Sequence, residues 1–499
     1  MNMAQLAQDN IKEFGEYVSL VFEEQEFTNV EMDRAARKLA SGLKSLGVKR
    51  GDRVIVQCSN SPEALQSFQA VWKIGAVIVP INFLMGEEET THIYVDSGAV
   101  VVIGSSDFLD KMESARAKAP EVKHLVMVDK EVPGTTYFHQ LVQDSPEESA
   151  VVETDDDELS ILIYTAGTTG KPKGVMLSHY ALYSNSKAQQ ETLNIEPLPV
   201  LMALPLCHSY GIAVMNTCFL MGAKLILMRW FQVEEFFRHI EKYKPVITAA
   251  VPTMYMLLLM SPEIGNYDLS SVKYWVSGSA PLSRETSRVF KEKVGATIYE
   301  GWGLTEAGAN NSVNPLSGPV KDGSIGLPMV GTDIRILDDD DNELPANKDG
   351  EIVIRGPMLM KGYWNLPEET AEALQRGWLR TGDIGYKDED GYIFITERKK
   401  DMIIKAGENI FPREVEEVIM THPKVAECAV VGMTCEVYGE DIKAFVVLNP
   451  GEECNEEEII DHCKTRLTNF KSPKAIQFIE ALPKNILGKV LKKELRKVT

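Results

Sequence analysis

Cysteine is scarce in this chain. The seven present (Cys58, Cys207, Cys218, Cys428, Cys435, Cys454 and Cys463) are odd in number, scattered and never spaced as CxxC. That spacing argues against a disulfide framework or a structural zinc site and fits a reducing compartment. Basic charge is also short: 52 Lys and Arg stand against 73 Asp and Glu, a formal net charge of −21. Such a field excludes nucleic acid as a bulk electrostatic partner, and any site for anionic ligands must be locally basic. The N-terminal run MNMAQLAQDNIKEF lacks a basic region followed by an apolar core. No signal peptide is therefore expected, and the expected location is cytoplasmic. Pro197 to Ala223 carries no formal charge over 27 residues, long enough for a bilayer, but Pro199, Pro205, His208, Ser209, Gly211 and Asn216 interrupt it. The stretch predicts a short strand (200–204), a loop and a buried helix instead of a membrane span. There is no internal repeat and no low-complexity tract.

What is there is an ordinary globular composition, 44% hydrophobic and 25% charged, in 499 residues. That length exceeds the size at which single cores stop growing, so two or more domains are expected. Apolar spacing predicts a helix from Thr28 to the Gly47 stop, a strand in RGDRVIVQC, a helix over 62–72, and further strands at 76–80, 100–103 and 124–128. This strand–helix alternation points to α/β layers on a mostly parallel sheet. Beyond Pro328 the texture changes to short strands with turn signals (DIRILDDDDNELP, GEIVIRG, GWLRTGD, GYIFITE), a β-rich subdomain expected to be a small distorted barrel over about 328–397. The charged run ERKKD at 397–401 is the best linker candidate, and an α+β region follows it.

The stretch with the most chemistry is YTAGTTGKPKG, Tyr164 to Gly174, between two apolar runs. Glycines permit close backbone approach to a ligand, and threonine hydroxyls, backbone N–H groups and lysines suit oxyanions. It departs from a P-loop, which would need glycine at Thr165 and Ser or Thr at Pro172. A polyphosphate cradle and a surface hairpin both remain open on this stretch alone. Four further clusters stand out. PLCHSYG places His208 in a loop after a buried strand. EGWGLTE offers an aromatic (Trp302), a hydroxyl (Thr305) and a carboxylate (Glu306) able to hold phosphate-bound Mg²⁺. RTGD presents Asp383 after a glycine, suited to ribose hydroxyls or to a plain Asx turn. The tail KNILGKVLKKELR carries Lys489 after Gly488, and read by itself it is a solvated basic helix.

Taken together and in this order, YTAGTTGKPKGVMLSH, LPLCHSYG, EGWGLTEAG, GEIVIRGPMLMKGYWN, GWLRTGDIGYKDEDGYIFITERKKDMI, GENIFPREVE and LPKNILGKV resemble the adenylate-forming superfamily, within it the acyl-CoA synthetase (fatty-acid–CoA ligase) branch. The resemblance covers essentially the whole chain. It implies a large N-terminal domain (1–397) of α/β layers with the β-rich subdomain, a hinge at 398–401 and a small mobile α+β domain (402–499). It also implies an ATP-dependent ligase that joins a carboxylic acid to AMP and then passes the acyl group to coenzyme A, releasing AMP and pyrophosphate. Carried over, Thr165, Thr168, Thr169, Gly170 and Lys173 would cradle the β,γ-phosphates. Ser279, Ala280, Glu300 and Gly301 would border the nucleotide, Trp302 would stack on adenine, and Thr305 would touch the α-phosphate. Glu306 and Thr165 would hold Mg²⁺. Asp383 and Arg398 would hold the ribose, Lys489 would bridge the acyl carboxylate and α-phosphate, and His208 would lie near the carboxylate. Lys400 matches the hinge and Gly407 the pantetheine path.

Three positions depart from the family pattern: Ala166 for the commoner Ser, Glu300 for Gln, and Ala406 before Gly407 where Gly-Gly is frequent. The segment from His208 to Gly222 has no acidic residue to pair an amino-acid ammonium, which disfavours amino acids. Met202, Met215, Met221, Met228, Met254, Met256 and Met260 suggest an adaptable apolar site or ordinary core filler. The expected substrate is a medium- or long-chain fatty acid, with an aryl or alicyclic acid, a carrier-protein acceptor and a non-catalytic sensor as alternatives. Peripheral membrane contact and a homodimer stay open.

Overall fold

In a computed structural model, residues 1–147, 150–165, 171–406, 408–435, 438–485 and 488–498 are described. Among them, two large sheets form the framework. One runs in the order 362–363, 173–178, 159–165, 77–80, 53–57, 101–104, 124–127, 136–137, parallel through its middle. The other runs 327–328, 312–313, 298–302, 274–277, 247–250, 200–202, 225–227, 18–22, 25–28, with parallel pairing from 18–22 to 298–302.

The elements between the sheets explain their own positions. Asn29–Ser45 starts at Thr28, whose hydroxyl accepts from the Glu31 N–H while Glu31 reaches back, a reciprocal cap. Pro62–Lys73 starts with Ser61 as cap and Pro62 in its first turn, and nearly every residue of it is buried. A helix buried on all sides must settle any charge it carries. Lys73 does so against Asp33, 2.7 Å away on the neighbouring helix and equally buried. The principal apolar core joins this helix layer to both sheets.

The uncharged stretch around 197–223 is resolved as expected: a strand Val200–Met202, a loop, and the helix Ser209–Met221, stopped by Gly222 in the left-handed region. Among the described residues no helix is long and apolar enough to cross a membrane. The acidic run 155–158 supplies three surface ion pairs. Asp156 takes the N-terminal ammonium at 2.6 Å, Asp157 pairs with Lys361 at 2.5 Å, and Glu158 pairs with Arg50.

The β-rich region is an antiparallel sheet of 333–337, 350–355, 374–375, 378–387 and 393–398. After it, Glu408–Ile410, Ile403–Lys405, Gly439–Leu448, Val425–Cys435 and Ala475–Phe478 form a separate sheet with its own core, packed by Pro412–Met420 and Glu456–Lys464. The basic tail is helical only over Lys492–Arg496, not across the whole run. Its basic side chains are not idle in solvent: Lys492 is clasped by Glu416 at 2.8 Å and Arg496 by Asp401 at 2.7 Å.

Candidate active site

Parallel strands present their C-terminal ends on one side of a sheet, where loops gather ligand-binding groups. Here the strands 274–277 and 298–302 end at Gly278–Ser279–Ala280 and at Gly301–Trp302–Gly303. Ser279 sits at φ 69°, a conformation costly for a side-chain-bearing residue and retained chiefly at functional sites. Gly303 is obligatory: a Cβ there would lie 1.5 Å from the Ala309 carbonyl oxygen.

Trp302, the last residue of its strand, donates its indole N–H to Asp383 Oδ2 at 3.0 Å. Asp383 is not on a turn, as RTGD suggests, but inside the strand Trp378–Lys387, directly opposite Arg398 in the antiparallel register. Gly382, in the left-handed region, distorts that strand. Arg398 Nε donates to Asp383 Oδ1 at 2.8 Å, and Asp383 is 1% exposed. A carboxylate offers about four lone-pair sites, so Asp383 can accept ribose hydroxyls while held on both sides. Trp302 thus supplies an indole N–H that anchors the carboxylate.

Thr305 and Glu306 form a short helical turn. Thr305 Oγ1 lies 3.0 Å from Ser209 Oγ, and Glu306 Oε1 accepts from the Tyr363 hydroxyl at 3.0 Å. Lys173 Nζ stands 5.4 Å from the centre of that tyrosine ring. Lys173 is the register partner of Thr165 at the base of the glycine-rich hairpin, whose strands are Leu159–Thr165 and Lys173–Ser178. Thr168, Thr169, Gly170 and Ala166 lie outside the described residues, as does Gly407 on the expected pantetheine path. The side-chain oxygens of Glu306 and Thr165 are hard donors of the kind Mg²⁺ prefers, so they fit that ion. Tyr363 and Ser209 went unassigned in the sequence reading although both stand in the quoted motifs; only their contacts single them out.

His208 caps the helix Ser209–Met221, its Nδ1 accepting the Tyr210 N–H at 3.2 Å. Burial, with Lys489 nearby, pushes its imidazole down to about 4, so it stays neutral at physiological pH. Glu300 is buried and its Oε1 accepts the Leu282 N–H at 3.2 Å. Burial raises its carboxyl to about 7, opposed by Arg413 from the C-terminal unit. Half-protonated, it comes close to the neutral amide expected at this position.

The C-terminal segment reaches the same place. Gly488 is in the left-handed region at φ 73°, with its carbonyl accepting the Thr253 hydroxyl at 3.3 Å. A Cβ there would sit 2.0 Å from Thr253 Oγ1. Asn485 closes the turn by accepting the Lys489 N–H on its side chain at 2.9 Å. Lys489 is thereby placed among Arg398, Asp383, Lys400 and Asp401; the Arg398 charge foremost, then burial, hold its ammonium down at about 8. Lys400 is exposed, two residues beyond Arg398, whose carbonyl accepts the N–H groups of Asp401 (2.8 Å) and Met402 (3.1 Å).

A cavity opens beside Gly278 and Gly301. Tyr210, Val214, Thr217, Cys218 and Met221, one stripe of a helix, run along it, and among the described residues no Asp, Glu, Lys or Arg lines it. Ser277, which lines it, is fully buried with an unpaired hydroxyl. The methionine pattern reads differently in space. Met221 lines the cavity and so does Met329, whereas Met202, Met215, Met228 and Met254 are core and Met260 is 60% exposed.

The "AMP-binding enzyme" family model matches residues 7–364 and the "AMP-binding enzyme C-terminal domain" model matches 414–489. A long-chain-fatty-acid–CoA ligase of Bacillus subtilis (strain 168) is 36% identical, with 98% of this chain and 92% of the relative covered. A 4-coumarate–CoA ligase 1 of Solanum tuberosum is 34% identical over the same shares. The crystal structure of the anthranilate CoA ligase AuaEII with anthranoyl-AMP superposes with a TM-score of 0.94 at 28% identity, covering 100% of this chain and 97% of that one. The chain belongs to the AMP-binding enzyme family, in the acyl-CoA synthetase branch of the adenylate-forming enzymes.

Proposed function

We propose that this AMP-forming acid–CoA ligase activates a medium- or long-chain fatty acid. The observation that carries the substrate is the cavity: uncharged, apolar and bordered by a helix stripe from Tyr210 to Met221.

In the adenylation step, a carboxylate oxygen of the acid attacks the α-phosphorus of ATP and the bond to pyrophosphate breaks. Asp383 and Trp302 hold the nucleoside, and Thr305 meets the α-phosphate. Thr165 and Lys173 support the leaving pyrophosphate at the base of the hairpin. Lys489 places its ammonium between the acyl carboxylate and the α-phosphate, stabilising charge that builds up on the phosphoryl oxygens. Neutral His208 forms a polar wall and is unsuited to act as an acid. Glu306 and Thr165 would hold Mg²⁺, which neutralises phosphate charge when bound. For the second step the segment 398–401 serves as the hinge that withdraws Lys489, and the CoA thiolate then attacks the acyl carbon with AMP as leaving group.

The test is AMP release with Mg-ATP, CoA and a panel of straight-chain, aryl and alicyclic acids. The highest kcat/KM is expected for a straight-chain acid of medium or long chain. Turnover of aryl acids with none of alkyl acids would overturn the substrate assignment, and the absence of AMP with every acid would overturn the reaction.

A further inference from the structure

The acyl cavity does not border solid core at its far end. Against it lies a second, small void with room for about one water molecule, lined among others by Leu20, Met32, Leu65 and Leu225. Against that lies a third void of similar small size. The first and second share two lining residues, Cys218 and Ala223, so these two form a wall one residue thick between them. The second and third share Met32, Leu65 and Phe219.

The chemistry changes along this series. The second cavity is apolar apart from Ser19, whereas the third is bordered by Asn10, Asn29, Asp33 and Gln69, with the Gln69 side-chain oxygen unpaired. An alkyl terminus gains by entering apolar space and loses by desolvating those polar groups. Beyond the wall, apolar space therefore continues into the second void and ends before the third. Cys218 is buried and carries a free thiol, so neither solvent contact nor a disulfide accounts for its side chain. It lies on the cavity stripe, two turns beyond Tyr210, which follows His208 and Ser209 of the reaction centre.

We propose that Cys218, together with Ala223, is the stop that sets acyl-chain length, and that removing it joins the second cavity to the first. The inference rests on the reading that an alkyl acid occupies the cavity. Within it, Cys218 acts by contact with the methyl end of the substrate, far from the reacting atoms. Its substitution should change which acids react, not how the carboxylate is activated.

The experiment measures kcat/KM for AMP release over straight-chain acids of about six to eighteen carbons with wild type, Cys218→Ala and Cys218→Leu. Cys218→Ala is expected to move the preferred acid upward by about two carbons, raising acids just beyond the wild-type optimum about tenfold. Cys218→Leu is expected to lower the longest wild-type substrates by about tenfold or more while a six-carbon acid stays within about twofold. Should Cys218→Leu fail to fold, Ala223→Val narrows the same wall from its other side and should give the same shortening. A merely structural role would lower all acids in proportion. Length profiles unchanged in variants that retain six-carbon activity would overturn the proposal. Wild-type turnover of aryl acids alone would overturn the parent reading instead, and the two failures are told apart by the wild-type profile.

Discussion

Lys489 brings an ammonium into a place where Arg398 and Lys400 are already positive, and its pKa is held at about 8 as a result. ATP would put polyphosphate beside it. Nearby anions favour the charged form, so the pKa in the complex should return toward the ordinary lysine range. The sign follows directly. Below pH 8 Lys489 is charged in both states and no proton moves. Between the free-enzyme pKa and the higher pKa of the complex, binding takes up a proton, and ATP affinity falls as pH rises through that window. At pH 8 the free enzyme is half protonated at this site, so ATP binding should take up about half a proton. The kcat/KM for ATP in adenylation should fall about tenfold per pH unit above the free-enzyme value. Titration calorimetry at pH 8 in buffers of different ionisation enthalpy reads the uptake directly. Lys489→Arg is the control, because a guanidinium stays charged and should abolish the uptake. Zero uptake by wild type, or equal uptake by Lys489→Arg, would refute the reasoning.

Lys489→Ala should lower acyl-adenylate formation by two or more orders of magnitude, on the order of removing one transition-state donor, yet spare thioester formation from supplied acyl-AMP. Equal losses in both assays would show that the residue is structural. Trp302→Phe keeps an aromatic face but loses the N–H held by Asp383, and should raise KM for ATP about tenfold, the scale of a hydrogen bond to a charged group. An unchanged KM would mean Arg398 alone suffices to position the carboxylate. Asp33→Ala leaves Lys73 buried without its partner and should cost about 3–5 kcal/mol of stability in chemical denaturation. A loss under about 1 kcal/mol would mean that Lys73 accommodates by giving up its proton.

Much of the fold was legible in local pattern. Thr28, Ser61 and Ser178 each precede a helix and accept a backbone N–H two or three residues into it, so capping chemistry alone marks the starts. Strand cores at 53–57, 101–104 and 124–127 fall where apolar runs meet turn signals. What misled was context. Asp383 follows a glycine and reads as a turn, but pairing with Ile393–Arg398 overrides the local signal and seats it opposite Arg398. The tail reads as a solvated basic helix because its carboxylate partners Glu416 and Asp401 lie about 80 to 95 residues away. The methionines share a composition but not an environment, since pattern does not say which face meets a cavity.

By itself the sequence determined the order of the elements, the capped helix starts, the uncharged acyl-side segment and the motifs that carry the chemistry, because each depends on neighbours a few residues apart. The tertiary structure alone decided three things. It put Lys489 beside Arg398 and so lowered its pKa, it turned Trp302 into a clasp on Asp383, and it set a second void against the acyl cavity across Cys218. Each depends on groups brought together from distant parts of the chain. Coulombic coupling, hydrogen bonding and packing voids are set by distance in space, to which spacing along the chain gives no measure.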